Sequence, residues 1–231
     1  MERLFDEKLA ALKNSLLEMS ALAETMIEEC VRALIERDPG LLENINRQEE
    51  RLDRLQVEND ETCCQLLALY QPTAYDLRFL LGAAKISSET ERLGDKAVNI
   101  AQIAHLLMQQ EPLTPSGKLP QMARIAREMV KDSMHAFVNL DVPKARLIIP
   151  RDTALDNLKA EVTAELVELM KRDTKTIERA IQFLLVARNL ERIGDHATNI
   201  AEDVIFVAEG KDVRHQTGQE GIRPSPPSET V

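Results

Sequence analysis

Two copies of one short motif place the same polar side chains at the same spacing in this 231-residue chain. The segment ERLGDKAVNIA at residues 91–101 returns as ERIGDHATNIA at residues 191–201, with eight of the eleven positions identical and an offset of 100 residues. Side chains four residues apart on an α-helix drift by only ~40° and rise by ~6 Å per step, so they form one stripe. Each copy therefore predicts two carboxylates and an amide in a row, namely Glu91, Asp95 and Asn99 in the first copy and Glu191, Asp195 and Asn199 in the second.

Acidic pairs with the same spacing also occur on the predicted helix that precedes each motif. These pairs are Glu49 and Asp53 in the first half of the chain, and Asp152 and Asp156 in the second half. Two carboxylates four residues apart repel each other by a few tenths of a kcal/mol on an isolated helix. Because hard cations prefer carboxylate and amide oxygens as ligands, the grouped side chains predict a metal site in each half. The pattern does not decide between iron, manganese, magnesium, zinc and calcium.

The acidic pairs also have an interpretation without metal. They would then be solvated, or paired with Arg92, Arg192 and Lys96, on a helical scaffold whose acidic stripes bind basic surfaces of partner proteins. On such a scaffold Arg92 and Arg192 would form salt bridges between helices, whereas beside a metal they would hold the ligating carboxylates in place. The pattern alone leaves both interpretations open.

A carboxylate-bridged di-iron oxidase is a third interpretation, and it agrees less well with the sequence. Such enzymes use Glu-x-x-His pairs that project into the middle of a helical bundle, and this sequence contains no Glu-x-x-His. The apolar residues of both motif helices lie roughly opposite the acidic stripe, so the stripe is predicted to face outward or into a groove. Gly94 and Gly194 lie at the flank of the apolar face, where they predict the close approach of another helix.

Composition limits the class of protein. With 44% hydrophobic residues, 3% aromatic residues and 8 glycines, the chain favours helices and has enough apolar residues for a substantial core. The net charge of −10 argues against nucleic acid as a partner, because a phosphate backbone needs clustered lysine and arginine. The N-terminus does not resemble a signal peptide, and no apolar run reaches the ~18 residues of a membrane span. We therefore expect a cytoplasmic protein that meets a membrane only through its partners.

Three cysteines, Cys30, Cys63 and Cys64, form neither a metal-binding pattern nor a disulfide framework. The adjacent pair lies in the apolar stretch TCCQLLALY. We expect small buried side chains in a reducing compartment.

The periodicity of apolar residues predicts an all-α fold of six long helices in two tandem, pseudo-symmetric three-helix bundles. Asp-Pro near residue 38 and Asp-Val-Pro near residue 141 are matching helix starts in the two halves. The predicted domains are residues 1–112 and 113–210, followed by a disordered tail at 211–231 that is rich in Pro, Ser and Gly. The predicted helices cover residues 4–36, 38–70 and 73–110 in the first half and 119–139, 141–172 and 173–210 in the second.

The doubled E-R-[LI]-G-D-x-A-x-N-I-A motif, together with the paired acidic stripes, resembles the PhoU family of phosphate-transport accessory proteins. YDLRFLL at residues 75–81 and RNLERIGDHATNIAED at residues 188–203 fit the same family. The similarity covers about residues 3–210. One departure precedes the first motif, where residues 89–90 are Glu-Thr and the second copy has Asn-Leu.

The resemblance implies a function that spacing does not. Members of the family are non-enzymatic, mostly dimeric negative regulators of the phosphate-starvation response and of phosphate uptake. They couple the phosphate ABC transporter, through its ATPase component, to a membrane-bound phosphate-sensing histidine kinase, and they carry multinuclear metal clusters on their acidic stripes. The resemblance thus marks as candidate metal ligands Glu49, Asp53, Glu91, Asp95, Asn99, Asp152, Asp156, Glu191, Asp195 and Asn199.

Overall fold

The structure is a computed structural model that describes residues 2–113 and 117–213. The described residues are almost entirely helical and contain no strand, which confirms the all-α prediction. Amphipathic sequence accounts for the long helices, since each buries an apolar face and leaves charged residues outside. The helices are α1 (Glu2–Glu36), α2 (Ile45–Tyr70), α3 (Ala74–Met108), α4 (Lys118–Asn139), α5 (Val142–Ile148), α6 (Asp152–Arg172) and α7 (Ile177–Glu209).

Each half of the chain forms a bundle of three long helices. Helices α1, α2 and α3 pack on one another in the first half, and α4, α6 and α7 do so in the second. The two bundles meet where α3 packs against α7 and α1 against α4. Buried side chains of all six long helices belong to one continuous hydrophobic core. The two halves therefore share an interior.

The two motif helices, α3 and α7, run antiparallel where the bundles meet. Near the start of α3, the Nε of Arg78 donates to the carbonyl of Val207, near the end of α7, at 3.0 Å. Farther along α3, Glu89 Oε2 lies 2.7 Å from Nδ1 of His196, which is earlier on α7. By this register the first turns of the two motifs lie opposite each other, and His196 of the second motif lies opposite Glu89, two residues before the first motif.

The start of the second helix differs from the prediction. Asp38 caps a 3-10 turn, Pro39–Leu42, by accepting a hydrogen bond from the Gly40 amide at 2.9 Å, and α2 begins only at Ile45. Glycine is a poor helix former, so a turn with glycine directly after proline does not continue as α-helix. The Asp-Pro pair does start a helical segment, but that segment is a 3-10 turn and not the predicted α-helix.

The predicted long helix over residues 141–172 is interrupted. Asp141 caps α5 by accepting a hydrogen bond from the Lys144 amide at 3.0 Å, as the sequence indicates. A 3-10 turn, Ile149–Arg151, then separates α5 from α6. Pro150 lies in that turn, and proline has no N–H to donate and clashes with the preceding helical turn. As a result, Asp152 is the first residue of α6.

The last helix ends as predicted, while its start is preceded by a short turn. Asp173 caps the 3-10 turn Thr174–Thr176, and α7 follows from Ile177. Gly210 adopts a left-handed conformation with φ of 72° and ends α7. The predicted disordered tail at 211–231 lies outside the described residues from position 214 onward.

The cysteine prediction holds at two of its three positions. Cys30 and Cys63 are buried, and Cys30 Sγ lies 3.1 Å from the carbonyl oxygen of Ala97. Cys64 is exposed, because it follows Cys63 by one helical position and so faces about 100° away from it. None of the helices in the described ranges combines the length and the apolar character needed to cross a bilayer.

Candidate metal centres

Cluster one consists of four carboxylates on α2 and α3: Glu49, Asp53, Glu91 and Asp95. Its position follows from the apolar faces of these helices, which are buried, so that the acidic stripes emerge on the outer side. Asp53 and Asp95 are exposed, and the two glutamates are half-buried. The stripe therefore faces away from the core, as predicted.

Gly94 permits the close approach of α2 to α3 at cluster one. A Cβ at this position would lie 2.8 Å from Cδ2 of Leu52, a distance too short for two carbon atoms. Leu52, which lies between Glu49 and Asp53 in the sequence, is fully buried. The glycine thus brings the acidic pair of α2 next to that of α3, as its position predicted.

The carboxylates of cluster one repel one another. Burial raises the pKa of Glu49, and the charges of Asp53 and Asp95 raise it further. Burial also raises the pKa of Glu91, with the same two aspartates adding to the effect and Arg92 opposing it. The cluster therefore holds negative charge that its neighbours only partly compensate.

Cluster two is the equivalent group on α6 and α7: Asp152, Asp156, Glu191 and Asp195. Gly194 has the role of Gly94, since a Cβ there would overlap Cδ1 of Leu155 and would lie 3.2 Å from Oδ1 of Asp152. Helices α6 and α7 thus approach each other in the same way as α2 and α3.

Asp152 is the most perturbed acid in cluster two. Burial raises its pKa to about 6, with the charges of Asp195, Asp156 and Glu191 adding to the effect. Its Oδ1 atom is buried and has no hydrogen-bond partner among the described residues. An ionised carboxylate without a hydrogen-bond partner costs folding free energy when buried. A bound cation or protonation of the carboxyl group removes that cost.

Cluster two contains a cation that the sequence analysis missed. Nζ of Lys159 lies 2.7 Å from Oε1 of Glu191. The side chain of Glu191 is largely buried and that of Lys159 is half-buried. Lys159 follows Asp152 by seven residues and Asp156 by three, which places it on the same face of α6. That spacing was a usable signal for its position.

Asn99 and Asn199, the amide members of the two stripes, differ in their surroundings. Asn199 donates from Nδ2 to Oε2 of Glu89 at 3.2 Å, so it takes part in the contact between the halves. Asn99 is exposed. Glu89, at the position where the two copies depart from each other, also accepts from Arg92 at 3.1 Å.

The two clusters border one groove. An open cavity of about 470 Å³ between the motif helices is lined by residues of both halves. Arg92 binds Glu89 on its own helix, and within residues 2–113 and 117–213 it forms no salt bridge to another helix. Arg192 is exposed at the groove. The lining residues are Arg92, Asp95, Lys96, Arg192, Asp195, His196 and Asn199.

The donor chemistry of both clusters fits a hard cation, although the side chains do not converge on one point. Carboxylate oxygens are the ligands that magnesium, manganese, calcium and iron prefer, and the unpartnered Oδ1 of Asp152 fits such a role. In residues 2–113 and 117–213, however, no three His, Cys, Asp or Glu side chains are grouped so as to hold a metal ion. Holding an ion would require rotamer changes in the exposed aspartates.

Comparison with known proteins decides the family. A model of the PhoU domain matches the chain twice, over residues 16–104 and 119–204. The chain belongs to the PhoU family. Each match contains one copy of the motif and one acidic cluster. The resemblance to the PhoU family that the sequence indicates is confirmed.

Curated members of the PhoU family match along nearly the whole chain. A phosphate-specific transport system accessory protein PhoU homolog of Aquifex aeolicus is 38% identical over 214 residues, which cover 93% of this chain and 96% of that protein. A homolog of the same name from Caulobacter vibrioides is 36% identical, covering 92% of this chain and 93% of that protein.

Solved PhoU structures have the same fold. The crystal structure of PhoU from Pseudomonas aeruginosa superposes with a TM-score of 0.85 at 32% identity, covering 90% of this chain and 100% of that one. The phosphate transport system regulatory protein PhoU from Streptococcus pneumoniae gives a TM-score of 0.84 at 29% identity, covering 90% and 99% of the two chains. The arrangement of six long helices is therefore the PhoU fold.

Proposed function

We propose that this protein is an accessory regulator of phosphate transport that acts by binding other proteins and catalyses no reaction. The observation that carries the proposal is the match over more than nine-tenths of the chain to proteins named as phosphate-specific transport system accessory proteins. The chemistry of the chain supports it, because the sequence has no glycine-rich phosphate loop and no Glu-x-x-His pair.

The partners proposed are the ATPase component of the phosphate ABC transporter and a phosphate-sensing histidine kinase. By binding both in the cytoplasm, the protein would restrain phosphate uptake and the expression of starvation genes when phosphate is abundant. The long exposed helical faces and the net charge of −10 suit association with basic protein surfaces. We also propose that the working form is a homodimer.

We infer that both clusters bind divalent or transition metal ions. When bound, metal would supply positive charge to carboxylates that otherwise repel one another. Each cluster's own carboxylates come from two helices, so they would join α2 to α3 and α6 to α7 and fix the faces that partners meet. The raised pKa values of Glu49, Glu91 and Asp152 support this inference, because they mark negative charge without full compensation.

A metal-free scaffold is the second candidate, and a specific observation favours it. Lys159 already compensates part of the charge of cluster two through its ion pair with Glu191. In this alternative, the exposed Asp53, Asp95 and Asp195 would bind basic partner surfaces directly. Elemental analysis of the gently purified protein separates the two candidates.

A deletion strain tests the regulatory function. Cells without the protein should import phosphate and express starvation genes even when phosphate is abundant. A version that lacks residues 211–231 should restore control, because this segment contains few apolar residues. A variant with Glu91, Asp95, Glu191 and Asp195 replaced by alanine should restore it poorly if the clusters shape the partner-binding faces. Normal phosphate control in a deletion strain that has no second copy would refute the proposal.

A further inference from the structure

The two clusters differ at one equivalent position. Lys159 stands seven residues after Asp152 on α6, and Gln56 stands seven residues after Glu49 on α2. The equivalence is structural as well as sequential, because Leu155 packs at Gly194 as Leu52 packs at Gly94. An ammonium in one half thus corresponds to a neutral amide in the other.

Lys159 is in direct contact with its cluster. Its Nζ lies 2.7 Å from Oε1 of Glu191, and the side chains of the two residues are 36% and 18% exposed. The charge of Lys159 also opposes the rise in the pKa of Asp195 that burial, Glu191 and Asp156 produce. The ammonium therefore acts on more than one carboxylate of cluster two.

Other cations lie beside both clusters, but none of them takes the same place. Arg92 binds Glu89, and Lys96 forms no ion pair with a carboxylate in the described ranges. Lys96 follows Asp95 directly on α3 and so points about 100° away from it, into the groove between the halves. In cluster two the equivalent residue is His196, which is hydrogen-bonded to Glu89. Among these cations of the described residues, Lys159 is the one that is paired with a carboxylate of a cluster, so an ion that binds Glu191 must displace it.

We propose that Lys159 is a tethered cation that competes with metal ions for cluster two, so that cluster one binds metal more tightly and fills first. The proposal rests on metal binding by the clusters, as proposed above. A divalent ion that enters cluster two must separate Nζ from Glu191 and must also bind beside a positive charge. Cluster one, with Gln56 at this position, has no such ion pair to break, and Arg92 and Lys96 act on Glu91 through their charges without pairing with it.

The competition gives the two halves different thresholds of metal concentration. At low concentration only α2 and α3 would be joined through metal, while Lys159 joins α6 to α7 by its ion pair. At higher concentration the long stem of Lys159 swings its ammonium toward solvent, and both pairs of helices would be joined through metal. The protein would thus have one state with metal in cluster one only and another with metal in both clusters. The two states would differ in the charge of the second half.

Titration with Mn²⁺ tests the proposal. Calorimetry on the full-length metal-free protein, with free Mn²⁺ counted by electron paramagnetic resonance, should find two classes of site in the unmodified protein. Lys159→Gln should tighten the weaker class roughly tenfold and leave the tighter class unchanged. Gln56→Lys should weaken the tighter class by a similar factor. Asp95→Ala and Asp195→Ala assign each class to its cluster, since each should remove one class.

Lys171→Gln is the matched control, because it removes a lysine of the same helix that pairs with Glu168 outside the cluster. This control should leave both affinities unchanged, and circular dichroism should show the same helix content in every variant. Equal Mn²⁺ affinities in the unmodified protein, Lys159→Gln and Gln56→Lys would overturn the competition while leaving metal binding intact. Absence of Mn²⁺ binding in all of them would overturn metal binding and the competition together.

Discussion

Nδ1 of His196 lies 2.7 Å from Oε2 of Glu89, which is 107 residues earlier in the chain. Both side chains are only 15% exposed. The same carboxylate accepts from Asn199 at 3.2 Å and from Arg92 at 3.1 Å. A single glutamate of α3 therefore gathers two donors from α7 and one from its own helix, at the place where the two halves of the protein meet.

Replacing Glu89 should weaken the contact between the halves. In Glu89→Ala the largely buried donors of His196 and Asn199 lose their acceptor, and the free energy of unfolding should fall by about 1–3 kcal/mol. Urea denaturation measures the change. Glu36→Ala is the control, because Glu36 forms an exposed ion pair with Arg32 and its loss should cost less than about 0.5 kcal/mol. Equal effects of the two substitutions would contradict a special role for Glu89.

The contribution of Glu89 should depend on pH. Burial raises the pKa of Glu89, but hydrogen bonds from His196 and Asn199 outweigh that effect and leave the pKa below its usual range. A depressed folded-state pKa means that the stabilisation is complete above the unfolded-state pKa of about 4.3. It is lost as the pH falls through the lower folded-state value. The difference in unfolding free energy between the unmodified protein and Glu89→Gln should therefore shrink below about pH 4 in acid titrations.

Asp152→Asn should stabilise the metal-free protein at neutral pH. Burial raises the pKa of Asp152 to about 6, which lies above the unfolded-state value, so ionisation of this carboxylate costs folding free energy as the pH rises through this range. After a discount for solvent screening, the gain at pH 7 should be about 1 kcal/mol. The gain should vanish below about pH 4, where the carboxyl group is protonated in both states. Thermal unfolding at pH 4 and pH 7 measures it, and equal gains at both values would contradict this account.

Gly194→Ala should destabilise the packing of α6 on α7. The new Cβ would overlap Leu155, so the helices must separate, and the cost of about 1–3 kcal/mol should exceed the ~1 kcal/mol by which alanine favours a helix. Gly94→Ala should act in the same direction through Leu52. Gly117→Ala serves as the control, since no atom of the described residues, chain neighbours aside, lies within 4 Å of its Cβ position. Chemical denaturation of the three variants gives the comparison, and a stabilised Gly194→Ala would argue against close approach at this glycine.

Loss of one aspartate from each cluster should remove metal without unfolding the protein. In the double variant Asp95→Ala and Asp195→Ala, elemental analysis should find little of the metal present in the unmodified protein. The helix content should be unchanged, because both side chains are exposed. A double variant of the exposed Glu36 and Glu168 is the control for loss of charge alone. Unchanged metal content after loss of Asp95 and Asp195 would refute their assignment as ligands.

Local patterns were enough to predict most of the fold. The periodicity of apolar residues predicted the long helices, because burial of one face is what stabilises a helix in a bundle. The interruption before α6 was also within reach, since Pro150 is visible in the sequence, but the apolar pattern continues across it. The 3-10 turn after Asp38 was harder to predict, because the same Asp-Pro signal precedes both kinds of helix.

The candidate site was predictable only in part. Spacing along each helix placed the carboxylates on one face, and Lys159 lies on that face by the same rule. The contact of Glu89 with His196 and Asn199 depends on how two halves of the chain pack, which no local pattern encodes. The departure from the repeat at residue 89 is visible in the sequence, but its effect arises only where α7 packs beside α3.

The two bundles share one continuous core but belong to a single chain, so their sequences need not be identical. When two identical subunits associate about a two-fold axis, every contact occurs twice, so a side chain and its partner must suit both sides of the interface. Covalent linkage of the halves removes that requirement. Glu89 faces His196 across the junction, whereas the positions that correspond to them by the 100-residue offset hold Asn189 and Lys96. A substitution on one side therefore needs no matching substitution on the other, and each half is free to acquire its own binding properties within one shared framework.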